Sequence, residues 1–261
     1  MELGSSVSAV VTGGASGLGE ASARALAAAG VRVGLLDMNG ERGQKVADEI
    51  GGTFAEANVT DPASVATALE TLRNGNGQER LCINCAGIVA GQKTASRDKA
   101  TGATKPHDAA LFAKVISVNL IGSFNVASQS AAGMMTLDPA TEDGGRGVIV
   151  MTASVAAEDG QLGQAAYAAS KGGINSLVLP MARDLARDGI RTAAIMPGLF
   201  HTPMFDSLTD EIRASLAANV PFPARLGHAD EYGALVRHIC ENDMLNGVSI
   251  RLDGALRLPP R

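Results

Sequence analysis

The sequence places a tyrosine and a lysine four residues apart, in Tyr167-Ala-Ala-Ser-Lys171, with Ser154 thirteen residues before the tyrosine. Residues four apart on a helix share a face, so the lysine ammonium can lie close to the phenol and favour its ionised form. The reference pKa of tyrosine is about 10, and lowering it by roughly three units requires about 4 kcal/mol. A nearby cation and a positively charged nicotinamide ring could supply that energy. The spacing therefore predicts a site for hydride transfer.

A glycine-rich turn near the start of the chain indicates where a dinucleotide would bind. It reads Thr12-Gly-Gly-Ala-Ser16-Gly-Leu-Gly19 and joins an apolar run to a helical pattern. Small residues let the backbone approach a pyrophosphate, and a helix N-terminus favours its negative charge. Asp37 follows at the end of the second apolar run, where its carboxylate can accept hydrogen bonds from an adenosine ribose. Taken alone, Asp37 fits the role of a helix-capping residue equally well. Together with the glycine turn it favours NAD over NADP, because its carboxylate would repel the 2′-phosphate of NADP.

The elements that must position these residues follow a regular alternation. Short apolar runs alternate with helical patterns, which is typical of a parallel sheet with helices on both faces. Strands are predicted near Val7–Thr12, Val31–Asp37, Thr53–Ala57, Leu81–Asn84, Val148–Thr152, Arg191–Met196 and Ser249–Leu252. Helices are predicted to begin near Gly17, Glu41, Pro62, His107, Gly163, Thr209 and Ala229. We expect one α/β domain over residues 1–261, with a seven-stranded, doubly wound Rossmann-type sheet. Two polar stretches, Val89–Pro106 and Thr136–Gly147, are expected to be loops.

The composition excludes several classes of function. The net charge is -5 and there is no run of lysine or arginine, so nothing favours binding along nucleic-acid phosphates. The first residues carry no basic stretch, and no window approaches the roughly 20 apolar residues of a membrane span. We therefore expect a cytoplasmic protein that does not bind membranes and that acts on a small molecule.

Cysteine and histidine usage indicates no metal site. The three cysteines, Cys82, Cys85 and Cys240, are an odd number without framework spacing, which fits a reducing compartment. Cys82 and Cys85 lie three apart on a predicted strand and should point to opposite faces, so we interpret them as buried thiols. The histidines show no ligand spacing, and we predict that no metal binds.

Taken together, these motifs resemble the short-chain dehydrogenase/reductase family in order and across nearly the whole chain. The matching motifs are Thr12–Gly19, Asn84-Cys-Ala-Gly87, Asn119, Ser154, Tyr167-x-x-x-Lys171 and Pro197-Gly-x-x-x-Thr202. Longer stretches resemble one subgroup, the type 2 3-hydroxyacyl-CoA dehydrogenases, also described as 17β-hydroxysteroid dehydrogenases. They are Thr12–Leu18, Thr152–Ala157, Gly163–Tyr167, Pro197–Phe200, Val220–Leu226 and Ile250–Gly254.

The resemblance implies a role for each matching residue. Tyr167 would be the general acid/base, and Lys171 would bind the nicotinamide ribose while lowering the pKa of the tyrosine. Ser154 would hold the substrate oxygen, and Asn119 would position a water linking Lys171 to bulk solvent. The implied cofactor-binding residues are Gly13, Ser16, Gly17, Leu18, Gly19, Asp37, Asn58, Val59, Cys85, Ala86, Gly87, Tyr167, Lys171, Pro197, Phe200 and Thr202. The implied substrate-binding residues are Ser154, Gln164 and Tyr167.

Two departures from the family pattern affect these expectations. Asn58 stands where the family usually has an aspartate that accepts from the adenine amino group, so we expect modestly altered cofactor affinity through its amide oxygen. Glu158-Asp159 stands where the subgroup tends to carry an aromatic residue before an acid, which puts the acyl pocket in doubt.

The family places a substrate-covering loop at about residues 199–223. Its apolar side chains would suit an acyl chain or a sterol, and equally suit plain packing. They are Phe200, Met204, Phe205, Leu208, Leu216 and Phe222. The polar insertion carries Lys93, Arg97, Lys99 and Lys105, which we expect either to meet CoA phosphates or to be solvated.

The resemblance implies NAD-dependent interconversion of 3-hydroxyacyl-CoA and 3-oxoacyl-CoA. A hydroxysteroid or other secondary-alcohol dehydrogenase remains an alternative, because only the shape of the pocket would differ. Reduction of a 3-oxoacyl carrier protein is disfavoured by Asp37, since that activity usually uses NADPH. A non-catalytic nucleotide-binding scaffold is a minor alternative. The resemblance also implies a homotetramer formed through the helices near Asn119 and Tyr167 and through the last strand.

Overall fold

Seven parallel strands form one sheet in the computed structural model, which describes residues 1–203 and 209–260. These strands are β1 (Ser8–Thr12), β2 (Arg32–Asp37), β3 (Thr53–Glu56), β4 (Leu81–Asn84), β7 (Gly147–Thr152), β8 (Ile190–Pro197) and β9 (Val248–Leu252). Their order across the sheet is β3-β2-β1-β4-β7-β8-β9. The predicted doubly wound sheet is confirmed, and each predicted boundary lies within one residue of the observed one.

Of the eight helices in the described residues, seven begin within two residues of the predicted positions, and the eighth, Ser123–Met134, for which no start was predicted, continues from the preceding helix through a π-helical turn. They are α1 (Gly17–Ala28), α2 (Gly40–Ile50), α3 (Pro62–Asn76), α4 (Ala109–Ile116), α5 (Ser123–Met134), α6 (Ala165–Asp184), α7 (Asp210–Ala217) and α8 (Ala229–Glu241). Side-chain caps fix several of these starts. Asn39 accepts from the amide of Arg42, Asp61 from that of Ala63, and Asp108 from that of Ala110, each satisfying an amide that has no partner inside its helix.

Two apolar layers cover the two faces of the sheet. Because neighbouring strand residues point to opposite faces, Val10 packs with α3, α5 and α6, whereas Val11 packs with α1, α2 and α8. Every residue of β1 is buried, as expected for a central parallel strand. The chain reverses direction across the sheet between β1 and β4, so a crevice opens at the carboxyl ends of these strands.

The polar insertion is more ordered than the sequence predicts. Residues 95–106 form an antiparallel hairpin of β5 (Ala95–Arg97) and β6 (Thr104–Pro106) instead of a loop. The carboxylate of Asp98 accepts from the amides of Ala100 and Thr101 and from the Thr101 hydroxyl, which closes the turn between the strands. The stretch from 136 to 146 contains turns and bends and no strand or helix, as predicted.

One helical stretch corrects the prediction that no segment could cross a membrane. Among the described residues, Ala109–Met134 is long and apolar enough to do so by length and composition alone; an 18-residue window within it has a mean hydropathy of 1.5, and 28% of that window is buried. The stretch mixes apolar residues with uncharged Ser, Asn and Gln, which a search for an unbroken apolar run overlooks. Core helices of soluble proteins pass the same test, and the buried face of this stretch packs against the sheet.

The two neighbouring cysteines point to opposite faces as predicted, but only Cys82 is buried, whereas Cys85, just after the strand, is half-buried. Cys82 is fully buried in the layer that contains α3, α5 and α6, and Cys85 packs against the opposite layer. Burial raises the pKa of the Cys82 thiol to about 12 and also raises that of Cys85, so both remain protonated near neutrality.

We predict opposite effects on stability for the same substitution in two helices. A Cβ on Gly233 would lie 2.7 Å from the carbonyl oxygen of Ala21, so Gly233→Ala should force α8 away from α1 and cost about 1–3 kcal/mol. A Cβ on Gly75 would meet Thr53 at an ordinary 3.5 Å, so Gly75→Ala should stabilise α3 by up to about 1 kcal/mol. Urea unfolding measures both, and equal effects would contradict this account of the α1–α8 contact.

Candidate active site at the carboxyl edge of the sheet

The turn after β1 adopts a conformation that requires glycine. Gly13 and Gly17 have φ angles of 66° and 56°, in the left-handed region. A Cβ on Gly13 would lie 2.9 Å from the backbone that joins Cys85 to Ala86. Gly19 lies below the turn, because a Cβ there would come within 2.2 Å of the carbonyl oxygen of Gly13. The glycines therefore bring β1, β4 and α1 into close contact, and Gly19 does so without lining the cavity above.

The first turn of α1 is suited to a pyrophosphate. Ser16 is the N-cap residue in an extended conformation, and its side chain makes no capping hydrogen bond. The first amides of a helix have no intrahelical partner, and the helix dipole adds partial positive charge at this end. The residues present thus fit a dinucleotide, with its phosphates at the N-terminus of α1.

A cavity of about 280 Å³ extends from this turn towards β2. Seven of the predicted cofactor-binding residues line it: Gly13, Ser16, Asp37, Val59, Cys85, Ala86 and Gly87. The Asp37 carboxylate accepts from the amides of Ala15 at 3.1 Å and Asn39 at 2.9 Å. Each oxygen keeps a further lone pair, so the carboxylate can also accept from ribose hydroxyls.

Three residues of the predicted cofactor set, Gly19, Asn58 and Phe200, line neither this cavity nor the adjoining one that contains Tyr167 and Lys171. The Asn58 amide oxygen accepts from both the amide and the hydroxyl of Thr60, and the side chain is exposed. Phe200 is buried against Tyr232, with its ring edge-on at 6.3 Å. Phe200 instead lines a separate cavity of about 260 Å³ near Val220 and Leu252, which contains none of the predicted catalytic residues.

A second cavity, of about 230 Å³, adjoins the first and contains the predicted chemistry. It shares Ser16, Cys85, Gly87 and Ile88 with the first cavity. The predicted residues that it adds are Gly17, Leu18, Tyr167, Lys171, Pro197 and Thr202. The structure therefore brings the tyrosine and the lysine together in the cavity that adjoins the one lined by Asp37.

Lys171 carries its ammonium into the protein interior. The residue is 5% exposed, and Nζ donates to the carbonyl oxygen of Thr152 at 2.7 Å. Burial disfavours the charged form and lowers the pKa of Lys171 to about 8. Nζ lies 5.9 Å from the centroid of the Tyr167 ring, so the two groups share a helix face, as the spacing predicts.

Tyr167 and Ser154 form the part of the site that would meet a substrate oxygen. Burial raises the pKa of the Tyr167 phenol above its ordinary value, and the Ser154 hydroxyl offsets this only in part, so the protein alone does not show the lowered pKa that the spacing predicts. Ser154 is 6% exposed and caps the short turn Val155–Ala157, where its Oγ accepts from the amide of Ala156 at 3.1 Å. Because this bond uses a lone pair of the oxygen, the hydroxyl hydrogen can still be donated.

Asn119 lies in a π-helical turn, Ser117–Gly122, between α4 and α5. Such turns often occur at functional sites. Its amide group donates to the carbonyl of Ile88 and to the Ser170 hydroxyl, and it accepts from the amide of Ile88 at 2.8 Å. Asn119 thus joins the loop after β4 to the helix that carries Tyr167. The implied water relay stays a prediction.

Gln164 lies in a groove of about 490 Å³ between the β5–β6 hairpin and the start of α6. Its Oε1 accepts from the amide of Gln161 at 2.9 Å, which holds the chain just before α6. Lys93 and Pro260 line the same groove. This groove and the catalytic cavity lie on either side of the first turn of α6.

The acidic pair Glu158-Asp159, which put the acyl pocket in doubt, lines none of these cavities. Both carboxylates bind the guanidinium of Arg251. In the substrate-covering segment, Leu216 is half-buried and Phe222 is 82% exposed. Met204, Phe205 and Leu208 lie outside the described residues.

Sequence reasoning missed several residues that hold the site together. The hydroxyl of Thr12 accepts from the amides of Cys85 and Ala86, which fixes β1 against the loop after β4. The carbonyl of Thr152 holds Lys171. A buried threonine at the end of a strand was the available signal for Thr12, whereas a backbone carbonyl leaves no signal in the sequence. Within the described part of the chain, no group of three or more His, Cys, Asp or Glu side chains could hold a metal ion.

Comparisons with known proteins agree with this geometry. A model of the short chain dehydrogenase family matches residues 8–213. The chain is 48% identical over 254 residues to the human protein named 3-hydroxyacyl-CoA dehydrogenase type-2, covering 97% of this chain and 95% of that protein. It is 47% identical over 253 residues to the Drosophila melanogaster protein of the same name, covering 96% and 97%.

A solved structure extends the likeness to three dimensions. The crystal structure of 3-hydroxyacyl-CoA dehydrogenase type-2 from Mycobacterium avium matches with a TM-score of 0.89 and 41% identity, and the match covers 98% of both chains. Because the family model spans most of the chain and these relatives align over nearly all of it, this chain belongs to the short-chain dehydrogenase/reductase family of oxidoreductases.

Proposed function

We propose that this protein is an NAD-dependent dehydrogenase that interconverts 3-hydroxyacyl-CoA and 3-oxoacyl-CoA. The observation that carries this proposal is that Tyr167 and Lys171 line the end of a cavity suited to a dinucleotide, with the Ser154 hydroxyl beside the Tyr167 phenol. The names of the relatives that align over nearly the whole chain support the acyl-CoA substrate.

The side chains supply the proton transfer. In the reducing direction the Tyr167 phenol donates its proton to the substrate carbonyl oxygen, and Ser154 donates a hydrogen bond to the same oxygen as its negative charge develops. In the oxidising direction the tyrosinate accepts the proton of the alcohol. The bound nicotinamide cofactor accepts or supplies the hydride. A protonated Lys171 would stabilise the tyrosinate.

The proposed preference for NAD rests on Asp37. Its carboxylate lies in the cavity of the predicted adenosine end, where ribose hydroxyls can donate to it and a 2′-phosphate would be repelled. Arg42, the nearest following cation in the sequence, binds the carbonyl of Ala15 and the carboxylate of Glu20. These bonds engage Nε and Nη2 of the guanidinium.

The substrate side of the proposal concerns the groove beside α6. Lys93 lines this groove together with Gln164, so its ammonium could meet a CoA phosphate. All four basic residues of the insertion are exposed, but Arg97, Lys99 and Lys105 do not line the groove, and Arg97 donates to the carbonyl of Gly102 across its own hairpin. Lys93 is therefore the strongest candidate among the four.

We also propose that the protein self-associates, consistent with the tetramer that the family resemblance implies. Large apolar side chains are exposed on the helices near Asn119 and Tyr167. They are Phe112, Ile121, Phe124 and Leu179, each between 38% and 48% exposed. A second copy of the chain could cover this surface.

Initial rates test the proposed function. With acetoacetyl-CoA, we expect kcat/KM for NADH oxidation to exceed that for a free ketosteroid by at least tenfold, and NADPH to be a much poorer cofactor. If only the steroid or another ketone reacts, the catalytic residues stand and the acyl-CoA assignment fails. If NADH binds but no ketone reacts, the protein is a nucleotide-binding scaffold.

Substitution of Lys93 tests the groove. Lys93→Gln should raise the KM for acetoacetyl-CoA severalfold while leaving kcat and the KM for NADH unchanged, because an exposed charge pair contributes at most about 1 kcal/mol. Lys99→Gln, on the same insertion but outside the groove, is the matched control and should leave all three constants unchanged. Equal KM values for the two variants would show that the groove does not bind CoA phosphates.

A further inference from the structure

Arg251, near the end of β9, holds three carboxylates at once. Its Nη1 lies 2.5 Å from Glu158 Oε2, its Nη2 lies 2.7 Å from Asp159 Oδ2, and its Nε lies 2.7 Å from Asp253 Oδ2. Nη2 also donates to the carbonyl of Leu256 at 3.0 Å. The side chain is only 17% exposed. All three nitrogens of the guanidinium are therefore engaged in one partly buried cluster, for which its planar geometry is suited.

Two of these carboxylates belong to the turn that carries Ser154. Ser154 caps that turn, and the amides of Glu158 and Asp159 both donate to the carbonyl of Val155, at 3.0 and 2.8 Å. The acidic pair is therefore continuous with the Ser154 turn through backbone hydrogen bonds. A shift of either carboxylate would be transmitted to the serine hydroxyl.

The third carboxylate connects Arg251 to the other side of the catalytic cavity. Asp253 is nearly buried, and a Cβ on Gly198 would lie 2.8 Å from its Cβ. The amide of Gly198 also donates to the carbonyl of Leu252 at 2.9 Å. Pro197, the residue before Gly198, lines the catalytic cavity. Arg251 thus lies between the Ser154 turn and the loop that closes the nicotinamide end.

We propose that Arg251 is a positioning residue for catalysis, which sets the place of the Ser154 hydroxyl relative to Tyr167 by tying the Ser154 turn to the Pro197-Gly198 loop. This inference rests on the proposed function, because Ser154 and Tyr167 must act together on a substrate oxygen. It also explains the two acids at 158 and 159, since both serve as anchors for the turn and neither enters a cavity.

The balance of charge makes this anchor sensitive to substitution. Among the described residues, the only other cation paired with these carboxylates is Arg257. It is 63% exposed and lies 3.2 Å from Asp253. Without Arg251, Glu158 and Asp159 would lose their cation and repel Asp253. A lysine would restore the positive charge but could not engage three carboxylates with one planar group, so it should restore the geometry only in part.

The test compares Arg251→Gln and Arg251→Lys with the unsubstituted protein, below the melting temperature of each. With acetoacetyl-CoA and NADH, Arg251→Gln should lower kcat at least tenfold and leave the KM for NADH within twofold, because small displacements of catalytic groups can cost about 100-fold in rate. The kcat of Arg251→Lys should lie between that of Arg251→Gln and that of the unsubstituted protein. Hydrogen exchange of the amides in residues 155–162 should become faster in Arg251→Gln.

Arg191→Gln is the matched control, since Arg191 is similarly buried and also combines carbonyl contacts with an ion pair. It donates to the carbonyls of Leu245 and Cys240 and pairs with Asp243, near the amino end of β8 and away from the cavities of the site. Arg191→Gln should lower the melting temperature without changing kcat or exchange in residues 155–162.

The inference is overturned if Arg251→Gln keeps kcat within twofold, or if both arginine variants lose kcat in proportion to their melting temperatures. If the unsubstituted protein does not reduce acetoacetyl-CoA, the proposed function fails. Hydrogen exchange then still decides whether Arg251 anchors the turn, because unchanged exchange in residues 155–162 would contradict that role.

Discussion

The burial of the Lys171 ammonium is the constraint on which the site depends. The group lies in the interior with a backbone carbonyl as its hydrogen-bond acceptor, and burial lowers its pKa from 10.5 to about 8. Below pH 8 the lysine is charged in both the folded and unfolded states, and the folded state then carries a cost of roughly 3 kcal/mol. That cost falls as the pH rises from 8 to 10.5. The fold therefore gives up stability to keep a cation beside Tyr167.

The surrounding structure fixes what this cation can reach. Thr152 ends β7 at the carboxyl edge of the sheet, and its carbonyl orients the lysine side chain. Gly87 leaves space on the other side, since a Cβ there would lie 3.6 Å from Nζ and 3.3 Å from Asn119 Oδ1. The π-helical turn places Asn119 where its side chain joins the loop after β4, which contains Gly87 and Ile88, to α6. The end of β7 and the loop after β4 thus lie beside one ammonium group, and the π-helical turn holds that loop to α6.

Much of this could be predicted from the sequence, because the signals are local. The alternation of apolar runs predicts the sheet. The glycine turn predicts where a dinucleotide binds, and the Tyr167–Lys171 spacing predicts where hydride transfer takes place. The pairing of Glu158 and Asp159 with Arg251, some 90 residues later, could not be predicted because it is a tertiary contact without a local signal. The hydrogen bonds from Thr60 to the Asn58 amide oxygen are local, since the residues are two apart, and the cofactor interpretation of Asn58 overlooked this turn. The hairpin in the insertion is closed by hydrogen bonds to the Asp98 carboxylate, whereas the polar composition of this segment predicted a loop.

The most direct test of this account is an ultraviolet titration of tyrosine ionisation in the protein saturated with NAD⁺. The chain has two tyrosines and no tryptophan, and burial holds the pKa of Tyr232 well above its ordinary value, so the phenolate signal reports Tyr167. The account predicts a phenolate signal that is absent in Tyr167→Phe, appears at lower pH with NAD⁺ bound than in the free protein, and moves to higher pH in Lys171→Met. An identical titration in Lys171→Met and the unsubstituted protein would contradict it.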